Sequence, residues 1–130
     1  MTNEQLRAQF VPIIVGSSSA RSLAARLFFR YGLTSHILTS RPPLLRRLRP
    51  WLCVHPLPDR VGPDVLLLAV GDLAKELAAE DRTPLLFWCD AEPPAPNGEQ
   101  RSLLESQTIL CDKDALDDLA LVASQGGLTR

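Results

Sequence analysis

The residues best placed to do chemistry in this chain are Gly16, Ser17, Ser18 and Arg21: a glycine and two hydroxyls, then a guanidinium one turn later. They follow a short apolar run at residues 11–15. A strand that ends in such a cluster and feeds a helix leaves backbone N–H groups facing outward, and the helix dipole favours negative charge beside them. The chemistry this predicts is recognition of an anion such as a phosphate or a carboxylate. The dinucleotide fingerprint GxGxxG is poorly met, because its second and third glycines would fall on Ser18 and Arg21, which obstruct close approach of a pyrophosphate. Arg21 could reach over the same loop or pair with an acidic residue elsewhere, and the sequence leaves both open.

Other polar residues stand at the ends of apolar runs: Ser40 and Arg41, His55, Asp90 and Asp112. In an open parallel sheet, ligands bind outside the carboxyl ends of the strands, so these positions are the remaining candidates. Ser40 and Arg41 lie where a ribose-reading residue belongs, and a basic residue there suits NADP better than NAD. Any solvent-exposed loop shows polar residues too, so each is weighed against that plainer reading. The basic run Arg41, Arg46, Arg47 and Arg49 alternates with leucines and reads as a solvated helix face. Cys89, His55 and Asp112 could in principle act as nucleophile, base and orienter, but no nucleophile turn accompanies them. Cys53, Cys89 and Cys111 are odd in number and widely spaced, with no CxxC pair and no histidine at a ligand interval. They read as buried small hydrophobes, free of disulfides and of zinc.

These candidates need elements to position them. Residues 20–31 carry Leu23, Ala24, Leu27, Phe28 and Tyr31 at spacings of three and four, a helical face stopped by Gly32. Residues 36–39 form a second strand, and Pro42 and Pro43 open another helix with Leu44, Leu45 and Leu48 inward. Residues 51–55 make a third strand closed by Pro56 and Pro58. Residues 64–81 are ambiguous, since 65–70 could be a buried strand, yet Leu66, Ala69, Val70, Leu73, Ala74 and Leu77 fit one helical face. A helix is predicted there, with Pro63 and Asp64 at its start and Gly71 as the weak objection. A strand at 85–89, a Pro-rich loop at 92–98, a short helix at 99–105, a strand at 108–111 and a helix over 112–123 complete the pattern. Alternation of strand and helix predicts an α/β, three-layer Rossmann-like domain with a parallel sheet of about five strands flanked by helices.

Composition bounds the function. At 130 residues the chain suits one domain, and 45% hydrophobic with 22% charged residues and a net charge of -1 exclude a disordered tail or a polycation. Nothing in that balance calls for nucleic acid. The longest apolar run, 65–70, falls far short of the roughly 20 residues that cross a bilayer. Residues 1–9 lack the basic start and apolar core of a signal peptide, so a cytoplasmic protein is expected.

Residues 11–26 followed by Tyr31-Gly32 resemble the N-terminal, pre-ATP-grasp domain of ATP-grasp ligases, especially the D-aspartate ligase-like branch. The likeness rests on the glycine after the first strand, Ala20-Arg21 on the first helix, the Tyr-Gly pair, and a strand at 85–90 ending in Asp90. Cys111-Asp112-Lys113-Asp114 and Gly127-Leu128 look like the elements that open the ATP-grasp fold proper, so residues 112–130 are expected to begin a further domain. The Pro-rich insert at 93–96 departs from the family pattern. The resemblance implies a domain that lends a wall to the acceptor site for a small anionic or amino-acid substrate. ATP and magnesium would be held by C-terminal ATP-grasp domains in cis, which leaves residues 1–130 catalytically inert alone. The alternative is a stand-alone module holding an NADP-like nucleotide or another anion at the Gly16 loop.

Overall fold

Strand β1 (Phe10–Val15) is buried at every position, as a run of apolar residues must be when both sheet faces are covered. The computed structural model describes residues 2–16, 18–40, 51–57, 62–89 and 98–111. Around β1 these form α1 (Asn3–Gln9), α2 (Ser18–Tyr31), β2 (Ser35–Thr39), β3 (Leu52–Pro56), α3 (Pro63–Ala79), β4 (Thr83–Trp88), α4 (Gly98–Gln107) and β5 (Ile109–Cys111). The strands are all parallel in the order β3-β2-β1-β4-β5, so the Rossmann-like α/β expectation holds. The helices expected after Pro42-Pro43 and over 112–123, with the loop at 92–97, lie outside the described residues. No helix among the described residues is long and apolar enough to cross a membrane.

Side-chain alternation along the strands divides the core in two. Phe10, Ile14, Ile37, Leu85 and Phe87 pack with Leu6, Leu23, Leu27 and Tyr31 of α1 and α2. Val11, Ile13, Val15, Leu38 and Leu86 pack on the other face with Leu66, Val70, Leu73 and Leu77 of α3 and Leu104 of α4. That second group settles the ambiguity at 64–81: the residues buried at helical spacing are those of one face, while Val65 and Leu68 are left exposed. The objection from Gly71 has a local answer, since Gly71 is buried and a Cβ there would stand 3.4 Å from the Gln107 side chain at the end of α4.

Three strands contain prolines, and each stands where its missing N–H falls outside a ladder: Pro12 and Pro84 just before one begins, Pro56 on an outward edge. Gly16 N–H donates to Leu38 O, which places the even residues of β1 toward β2; pairing with β2 begins only at Ile13, just past Pro12. Cys89 N–H donates to Val15 O, so Pro84 faces β5, whose pairing with β4 begins at Leu85. Leu57 N–H donates to Thr39 O, so Pro56 faces outward from β3. A proline in a central strand is tolerated only in such positions.

Helix α1 was not anticipated from the polar N-terminus, although its signal is short and local. Thr2 accepts from Gln5 N–H at 3.2 Å while Thr2 N–H donates to Gln5 Oε1 at 2.8 Å, a reciprocal capping box, and Leu6 anchors the turn in the core. Helix α3 ends differently from α2, where Gly32 supplies the left-handed residue at φ 74. After α3, Arg82 N–H reaches Leu77 O at 2.9 Å and Asp81 N–H reaches Ala78 O at 3.0 Å, with Asp81 at φ 59. That is a Schellman closure built on a non-glycine, with a carboxylate near the negative end of the helix dipole. Asp81→Gly should therefore stabilise the chain by about 0.5–1 kcal/mol. Urea unfolding would show it as a raised midpoint at unchanged slope, and a lowered midpoint would contradict this account of the cap.

Candidate functional site

The sheet order reverses at β1: the chain moves outward through β2 and β3, then returns across β1 to β4 and β5. Helices following strands that lie on opposite sides of such a point diverge and leave a crevice at the carboxyl ends, here between β1 and β4. Gly16 stands at that place, buried, with φ 150, a conformation that side chains rarely adopt. Its N–H is taken up by Leu38 O at 3.2 Å, and Val15 O is taken up by Cys89 N–H at 2.9 Å. Both neighbours thus stay zipped to β1 up to Gly16. Gly16 N–H is therefore already committed to β2.

Of the other expected site residues, Ser18 begins α2 and Arg21 sits half-buried in its first turn. Arg21 makes no ion pair among the described residues, and both roles stay open to it. Ser40 is exposed, directly after β2. Ser17, Arg41 and Asp90 lie outside the described residues, as does Asp112. Of the Cys89, His55 and Asp112 trio, His55 and Cys89 are not brought together. In register, His55 pairs with Leu38, Leu38 with Val15 and Val15 with Trp88, so His55 and Cys89 are separated by about three strand spacings, roughly 14 Å.

The cysteines depart from expectation. Instead of being buried, Cys53 is exposed and Cys89 and Cys111 are only half-buried. Cys53 also has histidine neighbours that no reading along the chain brought together. His36 and Cys53 are register partners on β2 and β3, and His55 follows Cys53 by the two residues that return a strand to the same face. His36 Nδ1 lies 2.9 Å from His55 Nε2, the rings stack at 5.1 Å between centroids, and Cys53 Sγ lies 3.7 Å from His55 Nε2. Burial favours the neutral form of His36 and lowers its pKa from 6.5; the charges of His55 and Arg82 act in the same direction, and Glu80 opposes them. The signal that could have found this cluster is the Cys-x-His interval read at strand period.

Comparison with protein-family models, with curated proteins and with solved structures yields no match.

Proposed function

We propose that this chain is a non-catalytic Rossmann-like binding domain that takes the anionic group of a small ligand at the crevice beside Gly16 and Arg21. In this reading it is the substrate-side N-terminal domain of an ATP-dependent carboxylate–amine ligase of the ATP-grasp kind. The observation that carries it is the strand order, with its reversal point at the carboxyl end of β1 and α2 starting there. The first turn of α2 offers N–H groups and the positive end of its dipole, and Arg21 supplies a charge-assisted donor within that turn. ATP and magnesium belong to the later domains of such a ligase, so this chain orients the acceptor and does not transfer phosphate.

Calorimetric titration of the chain with inorganic phosphate, aspartate and ADP tests the reading. Binding of phosphate or aspartate is expected, weakened by about 1–3 kcal/mol in Arg21→Ala. Unchanged affinity in the folded variant would remove Arg21 from the site. Absence of binding by all three anions, or magnesium-dependent ATP turnover by the chain alone, would overturn the proposal.

A further inference from the structure

We propose that His36, Cys53 and His55 form a site for a single transition-metal ion of the zinc class, with a fourth coordination position open to solvent. The site lies on the α3-side face of the β2–β3 pair, one and two strands outward from β1, and is independent of the anion crevice.

The donor geometry is close to what a tetrahedral ion requires. With zinc–nitrogen bonds near 2.0 Å and zinc–sulfur bonds near 2.3 Å, tetrahedral angles set nitrogen and nitrogen about 3.3 Å apart and nitrogen and sulfur about 3.5 Å apart. Cys53 Sγ and His55 Nε2 already stand at 3.7 Å, and all three donor atoms lie within 4.8 Å of one another. The two imidazole nitrogens, at 2.9 Å, are closer than a shared ion permits. That short approach is the hydrogen bond the rings make when no ion separates them, and binding needs them to open by only about 0.4 Å while Cys53 Sγ swings inward. The positions are held by strand register, not by long flexible side chains, so little conformational freedom is lost on closing the site.

The donor set also selects the ion. Two imidazoles and a thiolate suit zinc and its neighbours and do not suit magnesium or calcium, which take oxygen ligands. Exposure of Cys53 provides the path of entry. Three protein ligands leave a water as the fourth, the arrangement of zinc sites that stay open to exchange. Protons balance as follows: the Cys53 thiol gives its proton to solvent and binds as thiolate. The N–H shared between the rings leaves its nitrogen as the donor ring takes a proton on its other nitrogen, so both imidazoles bind neutral. For Cys53 the site replaces the expectation of an uncommitted, zinc-free thiol.

The test uses the whole chain, stripped with a chelator and titrated with Co2+ and then Zn2+. A single cobalt ion should give a thiolate-to-metal charge-transfer band and the intense visible bands of a tetrahedral centre, both lost when zinc displaces it. Zinc binding at about pH 7 should release about one proton, read by calorimetry in buffers of different ionisation enthalpy. Cys53→Ser, a change at an exposed position, should abolish the charge-transfer band and weaken zinc binding at least about a hundredfold; His55→Gln should weaken it similarly. Cys111→Ala should leave both intact. No metal uptake by the wild type, uptake without proton release, or wild-type affinity in Cys53→Ser and His55→Gln chains of unchanged circular dichroism would each overturn the site.

Discussion

Treated with iodoacetamide at mildly alkaline pH and free of metal, the folded chain should be alkylated at Cys53 well before Cys111, with Cys111 reacting far more slowly than an ordinary thiol. Burial pushes the Cys111 thiol up from 9.0 to about 12, and only the thiolate is nucleophilic. Cys111 packs against the α2-side core at the end of β5, whereas Cys53 is exposed on β3. Peptide mass spectrometry of quenched time points separates the two thiols, and equal rates in the folded chain would refute the burial argument. The same shift has a consequence for stability. Because the folded value lies above the unfolded one, the unfolded chain loses this proton first as pH rises. The contribution is therefore complete below about pH 9 and disappears between about 9 and 12. Alkaline unfolding should accordingly be displaced upward in Cys111→Ala relative to the parent, measured from each protein's own neutral-pH stability.

Replacing Phe87 by alanine should cost about 3–5 kcal/mol, the largest loss expected from a single change to the described residues. Phe87 is fully buried in β4, in register with Ile14 on one side and Cys111 on the other. Its ring fills the α2-side core with Leu85, Ile37 and Leu27, and β strands on both sides prevent the backbone from collapsing into the space it leaves. Against a total stability of roughly 5–15 kcal/mol for a domain, such a loss leaves a chain that is partly unfolded or nearly so. Leu68→Ala, at a position 67% exposed, should change stability by no more than about 0.5 kcal/mol. Urea unfolding of both variants checks the contrast. A Phe87→Ala loss under about 1 kcal/mol would mean that the two faces of the sheet are not packed as described.

Order and type of the elements were legible in the sequence because each rests on local pattern. Leu23, Leu27 and Tyr31 repeat at helical spacing, Gly32 stops the helix, and β1 is a short apolar run bounded by Gly16. Even the ambiguous stretch at 64–81 carried its answer in the spacing of Leu66, Val70, Leu73 and Leu77. Helix α1 was missed although Thr2 and Gln5 stand at capping-box spacing, because a seven-residue helix with a single buried apolar residue leaves no periodic stripe. The end of β1 could be named at Gly16, but not that Gly16 gives its N–H to β2, since that depends on which strand lies beside it. Of the His36, Cys53 and His55 cluster only the Cys53-x-His55 interval was local; His36 and Cys53 are 17 residues apart in sequence and meet only through parallel register. Long-range pairing is the information that periodicity does not contain.

The placement of Pro12, Pro84 and Pro56 bears on how the sheet avoids assembling wrongly. A slip of two residues is the cheapest error open to a parallel pair, because every side chain returns to its own face and the hydrophobic core raises no objection. Sliding β1 so that Pro12 entered the β2 ladder would set a carbonyl against a ring with no hydrogen to give, at a cost of about 1–3 kcal/mol, and Pro84 penalises the same slide of β4 against β5. Pro56 acts on the outer margin of β3, where it removes one of the donors that a strand arriving from another molecule would seek. The three rings thus work as alignment keys: they contribute no hydrogen bond to the finished sheet and make its near-miss alternatives, within the chain and between chains, worse.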